Sequence, residues 1–337
     1  MKCTVISVLC FIGCSVFFGS SYAGVAQGLK HFTAGVFQTF RMLFGFTFVL
    51  IFLIVRILMY PQFKKLFFSI SKDIYVVLML MIGGLINLGI PHCLTAIAQD
   101  HILSSMVQIM QPIAPLSGAI LSHFVLSDEK FTMIKFISLV LALVGVALSA
   151  VPSFLHVEGG SKTTDLVVGY ILTLFAMIGF GTAPVFFKKL VPGIDPIISV
   201  IYQLFASVIF ELLFALIKDG PRAIKHQVKE AEPFMWFWPT LIGVLVSGVT
   251  PILNIKLLND VGAFGANLIP CGQMVIGVIV GVSILKEWSS YKGWEIGISV
   301  VGFLLLIVSI IVSLFTKDSE QGEEEEEEGE EKEIPEL

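Results

Sequence analysis

Charge is scarce in this chain. Asp, Glu, Lys and Arg make up 14% of its 337 residues, against about 25% in a soluble domain. With 56% hydrophobic residues and a mean hydropathy of +0.91, the chain cannot cover itself with a water-facing surface, which excludes a soluble globular domain and points to a bilayer. Cysteine is sparse as well. Cys3, Cys10, Cys14, Cys93 and Cys271 have no metal-type pairing and no disulfide framework, so they read as small buried hydrophobes. Cys10 and Cys14 share a helix face, but a metal site needs further ligands that are missing nearby. There is no glycine-rich loop to cradle phosphates, so ATP is not expected to drive the protein and no cofactor is expected. No nucleic-acid partner is expected either.

The net charge of −5 misleads. Residues 318–337 hold 12 of the 26 acids and one of the 21 basic residues, which leaves the body with 20 basic residues against 14 acidic, a net +6. The tail, EQGEEEEEEGEEKEIPEL, cannot bury apolar surface and repels itself, and a disordered appendage is expected over 316–337.

A membrane span needs about 20 predominantly apolar residues, and ten stretches meet that criterion: 3–23, 33–56, 74–97, 102–125 and 132–152, then 166–188, 195–217, 236–257, 263–285 and 292–315. The polar connector SFLHVEGGSKTTD, 153–165, separates the two sets of five. Lys2 ahead of an apolar run and Ser21-Tyr22-Ala23 also resemble a secretory signal, but the internal repeat argues that the first segment is retained. Placing the N-terminus in the cytosol puts Arg56, Lys64, Lys65, Lys72, Lys130, Lys135, Lys188, Lys189 and Lys256 on or near that side. The loop with Lys218, Arg222, Lys225 and Lys229 counts against it. Ten spans return the C-terminus to the starting side, and five per half invert the second half relative to the first.

The duplication is visible in the landmarks. Pro112 precedes Glu129 by 17 residues, as Pro270 precedes Glu287; Phe18-Gly19-Ser20 recurs as Phe180-Gly181-Thr182; Arg41 and Gln203 each follow their glycine by 22 residues. Two displacements, 162 and 158 residues, differ by an amount that loops absorb. Internal repeats of this size decide a fold before any motif does. The expected fold class is therefore an all-α integral membrane protein of ten transmembrane helices in two inverted five-helix repeats, at 1–152 and 166–315.

With those spans in place, FFGSSYAGVAQGL with Arg41 and IMQPIAPLSGAILSHFVLSDEKF closed by LVGVALSA, then GFGTAPVFFKKL and LIPCGQMVIGVIVGVSILKEW closed by GISVVGFLLLI, resemble the drug/metabolite transporter superfamily, of the ten-helix EamA type. No single motif is specific; their order and double occurrence are, and they cover nearly everything from Val16 to Ile311. The resemblance implies a central pathway lined mainly by the first four helices of each half, with the fifth helices peripheral. The arginine common in the second helix of each repeat is present as Arg41, whereas Gln203 stands at the second position, so the two halves of the cavity should differ in charge. Nucleotide-sugar and triose-phosphate carriers are similar in fold, but their lysine-rich signature is not seen.

Arg41 lies about eight residues, roughly 12 Å, into its helix, where a cation costs about 2.5 to 3.5 kcal/mol and must face a partner or water. Gln38 sits one turn earlier. Two readings stand: Arg41 draws in anionic or zwitterionic substrate groups, or it anchors helices. The other polar residues within spans are Ser20, Ser21, Asn87, His92, Gln108, Gln111, Tyr202, Gln203, Asn254, Asn267 and Gln273. None should face lipid, since an unpaired buried amide costs several kcal/mol. From these, Gln38, Arg41, His92, Gln111, Tyr202, Gln203, Asn254, Asn267 and Gln273 are the candidate substrate-binding set. His92, beside Pro91, is the best protonatable group of the set, with a tie to a freed carbonyl as the other reading. Glu211 is the one acid well inside a span, and is either a proton-coupling carboxylate or a side chain that snorkels to the nearby helix end. Glu129 and Glu287, at helix ends, are expected to fix loop geometry. Pro91, Pro112, Pro184, Pro251 and Pro270 should interrupt helices, with the matched pair Pro112 and Pro270 as hinges. Gly277 with Gly281, and Gly293 with Gly297, have the spacing for close helix packing within one molecule.

These features describe a carrier that moves a small organic solute, an amino acid, metabolite or drug-like compound, by alternating access in the plasma membrane or an internal membrane, as a monomer or homodimer. The rivals are a nucleotide-sugar or triose-phosphate type exchanger, a channel, which would need pore-lining charge rings, and a membrane-embedded enzyme, for which Asp100 beside His101 is a thin basis.

Overall fold

The computed structural model describes residues 5–125, 133–156, 160–254, 269–309 and 311–312. Asn267, Glu129 and the acidic tail lie outside them. Every regular element among the described residues is helical. In chain order these are α1 (Val5–Gly28), α2 (Ala34–Met59), the short α3 (Pro61–Lys72), α4 (Ile74–Ala98), α5 (Ser104–Ile109), α6 (Ile113–Val125), α7 (Met133–Leu155), α8 (Gly160–Leu190), α9 (Pro196–Lys218), α10 (Gly220–Glu230), α11 (Pro233–Asn254), α12 (Ile269–Ile279) with a further turn Val280–Ile284, and α13 (Gly293–Ser309). Among the described residues, seven helices are long and apolar enough to cross a membrane: α1, α2, α4, α7, α8, α9 and α11; the apolar helices α12 and α13 are shorter.

The prolines explain where regular helix fails. Pro has no N–H for the ladder and its ring crowds the carbonyl four residues back. Before Pro91 the turn widens into a π-helical stretch, Leu85–Gly89, and the same happens before Pro251, over Gly243–Val249. Just ahead of Pro112 the chain breaks outright, so that α5 and α6 are separate pieces of what the sequence reads as one span. Pro270 stands at the start of α12. Pro184 behaves otherwise: α8 runs through it without interruption, since in a packed transmembrane helix neighbouring groups can re-satisfy the one freed carbonyl.

Packing follows the glycines, and the same contacts occur twice with the halves exchanged. A Cβ at Gly19 on α1 would lie 2.7 Å from the Gln273 carbonyl and 2.9 Å from Ile276 on α12; one at Gly181 on α8 would meet the Ala114 carbonyl, Ser117 and Gly118 on α6. Likewise, a Cβ at Gly243 on α11 would meet the Arg41 carbonyl of α2, and one at Gly84 on α4 would come within 2.6 Å of the Gln203 carbonyl of α9. Any side chain at these positions would push two backbones apart. Gly277 and Gly281 also pack within the molecule, against Gln108 and against Ser105 and Glu287. Gly293 and Gly297 do not: nothing lies within 4 Å of a Cβ there, because α7 meets α13 one turn further on, at Gly302 over Gly145. The spacing alone could not say which pair faces a helix.

The helices α2 and α9 run antiparallel. Arg56 near the end of α2 pairs with Asp195 at the start of α9 at 3.5 Å, while Thr33 just before α2 donates to Asp219 just after α9 at 2.7 Å. The Glu287 carboxylate, beyond α12, accepts from the Ser104 N–H at 3.0 Å, the Ser104 hydroxyl at 2.5 Å and the Ser105 N–H at 2.9 Å, satisfying donors at the start of α5 that the helix itself cannot. On α7 and α13, Ser149 pairs with Ser299, and Ser309 donates to the Ser138 carbonyl at 2.6 Å. The helices α3 and α10 follow α2 and α9 respectively, each exposing its charged residues.

Candidate functional site

Where α2 crosses α4 and α11, the fold brings together polar side chains far apart in sequence. Arg41 is 1% exposed. Its Nε donates to the Ser247 hydroxyl of α11 at 3.2 Å, and one terminal nitrogen donates to the side-chain Oε1 of Gln38 at 3.3 Å. The two terminal nitrogens also face Nδ1 and Nε2 of His92 at 3.3 and 3.4 Å. A neutral imidazole has one lone-pair nitrogen and a protonated one has none, so at most one of those contacts is a hydrogen bond. Gln38 is held by its own amide, which donates to the His92 carbonyl at 2.9 Å; the Thr95 hydroxyl shares that carbonyl at 3.0 Å. The His92 ring stands edge-on to Phe180 at 5.0 Å.

The cluster extends to α1 and to the break before Pro112. The Gln111 amide donates to the Tyr22 hydroxyl at 2.7 Å, and Tyr22 is in turn within electrostatic reach of Arg41. On the α9 side stands Glu211, fully buried, with neither carboxyl oxygen reaching a hydrogen-bond donor. Its polar neighbours are the Cys93 thiol and the Arg41 charge, but Arg41 and Glu211 form no ion pair. The centre of the molecule thus holds a cation whose partners are all uncharged and a carboxyl group without a donor. Burial of a lone charge costs several kcal/mol unless something pairs it, and a solute with groups of both signs would.

The remaining candidates fall elsewhere. Gln203 accepts from Asn87 at 2.8 Å and donates to Ser199 at 2.8 Å, closing a small network between α4 and α9. Gln108 donates to the Gly19 carbonyl at 2.6 Å and is approached by Gln273 at 3.5 Å, a lock between α1, α5 and α12. Tyr202 is not brought to the centre: its hydroxyl donates to Ser71 at 2.8 Å and its ring stacks on Phe67, both on α3. Asn254, half-buried, ends α11. Ser20 and Ser21 turn their hydroxyls onto their own helix, at Val16 and Phe18. Tyr22, Cys93, Thr95 and Ser247 belong to the cluster without having stood out in the sequence. Tyr22 carried the one usable signal, a hydroxyl in the middle of an apolar span.

Among the described residues no group of three His, Cys, Asp or Glu could hold a metal ion. Asp100 is an exposed loop acid whose carboxyl is raised above its ordinary range by partial desolvation, with Lys218 and His101 pulling it back. No nucleophile is hydrogen-bonded to it. The EamA-like transporter family model matches the chain twice, over residues 5–151 and 167–315. The chain belongs to the EamA-like transporter family. A search of curated proteins returns no match. The membership makes this a multi-pass membrane protein of the drug/metabolite transporter superfamily, a family of transporters. In this EamA-like chain the buried Arg41 cluster lies within the first matched stretch apart from Ser247, Phe180 and Glu211, which come from the second.

Proposed function

We propose that the chain is a secondary transporter which moves a small organic solute by alternating access, with the two matched stretches acting as inverted five-span repeats joined by the 153–165 connector. The antiparallel run of α2 against α9, and glycine contacts that recur with the halves exchanged, support the inversion. In such carriers the binding site lies between the repeats near mid-membrane, at discontinuous helices. The break ahead of Pro112 and Pro270 at the start of α12 are the hinges of this reading.

The observation that carries the assignment is the pair of uncompensated groups at the centre, Arg41 and Glu211. A solute with a carboxylate takes the guanidinium fork, which matches its geometry; an ammonium group on the same solute, or a proton, takes Glu211. Amino-acid-like zwitterions therefore fit best, with Gln38, His92, Gln111 and Ser247 orienting the guanidinium or meeting the solute. Gln203 and Gln273 brace the surrounding helices. Glu211 is also the residue through which a proton gradient would be coupled.

The test is uptake and counterflow by purified protein in vesicles, with a panel of amino acids, carboxylic acids, amines and sugar phosphates, with and without a pH gradient. Saturable counterflow of zwitterions supports the reading. Flux that does not saturate would identify a channel, and exchange confined to sugar phosphates or nucleotide sugars would replace the substrate class.

A further inference from the structure

Between the end of α2 and the start of α4, α3 lies across one end of the bundle. Its inner face is fixed: Phe63 is buried beneath the Arg56 guanidinium, which sits 4.2 Å from the ring centre; Phe67 stacks on Tyr202; and Ser71 accepts the Tyr202 hydroxyl. Its outer face carries Lys64, Lys65, Phe68, Ser69 and Lys72, spaced three and four apart, and these line a cleft of about 1010 Å³ against Ile74. All three lysines are exposed, and none has an acidic partner among the described residues. The one acid at the cleft, Asp73, is already engaged, accepting from the Tyr75 and Val76 N–H groups at 3.1 and 3.3 Å. Beside the cations, Leu66, Phe68, Ile74 and Tyr75 are exposed apolar surface.

The cleft thus offers three unpaired ammonium groups next to a hydrophobic wall, at the level where a transmembrane helix ends. We propose that it binds the headgroup phosphate of an anionic phospholipid of the surrounding membrane, with Lys64, Lys65 and Lys72 on the phosphate and the acyl chains against Phe68 and Ile74. A soluble phosphate compound would use the lysines but has no use for the apolar wall, which is why the lipid is the occupant. Because α3 is seated through Phe63, Phe67 and Ser71, the backbone positions that carry the lysines are set before the lipid arrives, and only the side chains remain to be ordered.

Native mass spectrometry of the full chain, titrated with phosphatidylserine or phosphatidylcholine in detergent, tests this. Phosphatidylserine should be retained in clear preference. A lysine beside an anionic surface is worth about five-fold in affinity, so K64Q/K65Q/K72Q should lower that retention by about a hundredfold. The triple variant R222Q/K225Q/K229Q, which removes as much charge from α10, should leave it unchanged. Equal retention of the two lipids by the unaltered protein overturns the proposal even if the α3 variant does not fold, as does an equal loss in the α10 variant. Displacement by glycerol phosphate at the same concentration as the lipid would assign the cleft to a soluble ligand instead.

Discussion

Arg41→Gln takes away a buried cation whose partners, Gln38, His92 and Ser247, are all uncharged. Such a cation costs about 2.5 to 3.5 kcal/mol at mid-membrane. Three hydrogen bonds in a membrane interior return about 0.6 kcal/mol each, roughly 2 in all, and those of Arg41 are long at 3.2 to 3.4 Å. Removing the charge should therefore leave stability unchanged or raise it by about 1 kcal/mol, with Gln still able to reach one neighbour. Transport should respond very differently. Deleting one member of a buried charge pair costs about 2 to 5 kcal/mol, which is about 30-fold to several thousand-fold in affinity for a carboxylate-bearing solute. Arg41→Lys keeps the charge but not the fork and should fall between. The assay couples a thermal-unfolding midpoint in detergent with KM for uptake into vesicles. A midpoint that drops while KM stays the same would refute the binding role and make Arg41 a helix anchor.

Glu211→Gln should fold, because the carboxyl it replaces has no donor to lose, and uptake by this variant should no longer respond to an imposed pH gradient; undiminished proton dependence removes Glu211 from the coupling role. Gly181→Val should cost at least about 1 to 3 kcal/mol as an overpacked site, because the new Cβ would land on the Ala114 carbonyl, whereas Gly293→Ala, facing open space, should be neutral; equal melting shifts would show that the α6–α8 contact is not as close as it stands here. Glu287→Ala should lose about 0.5 to 2 kcal/mol, the value of a helix N-cap, and should impair transport as well, since the cap ties α12 to α5 in the other half. A variant with full stability would mean that water replaces the carboxylate.

The sequence displayed the larger features and hid the smaller ones for identifiable reasons. Apolar runs, repeated Pro and Gly, and one deep arginine are all one-dimensional signals, and each corresponds to something physical: a helix, a widened or broken turn, a close crossing, a buried charge. What hydropathy could not show was continuity. The stretch 102–125 reads as one span but is broken ahead of Pro112, while α8 passes Pro184 intact, because whether a proline breaks a helix depends on which neighbours re-satisfy the carbonyl. Partners were equally hidden. Tyr202 and Gln203 are adjacent in sequence and point to different networks, and Ser247 reaches Arg41 only because α11 crosses α2 on glycine.

The difference between the two halves is concentrated at matched positions. Arg41 lies 162 residues before Gln203 and Asn87 lies 160 before Ser247, close to the displacements of 162 and 158 that align the repeats, and the pairs Arg41–Ser247 and Gln203–Asn87 are both in contact, at 3.2 and 2.8 Å. One crossing therefore holds a buried charge among uncharged partners, and the other a pair of amides that satisfy each other. The close packing is kept in duplicate, in Gly243 on Arg41 and Gly84 on Gln203, while the buried cation is kept in single copy. If the two halves are inverted repeats, as proposed above, such a frame would allow two states of similar free energy facing opposite sides. On the alternating-access reading proposed above, a single charge in one half would present the same guanidinium to the solute in both states, so selectivity would not change through the cycle.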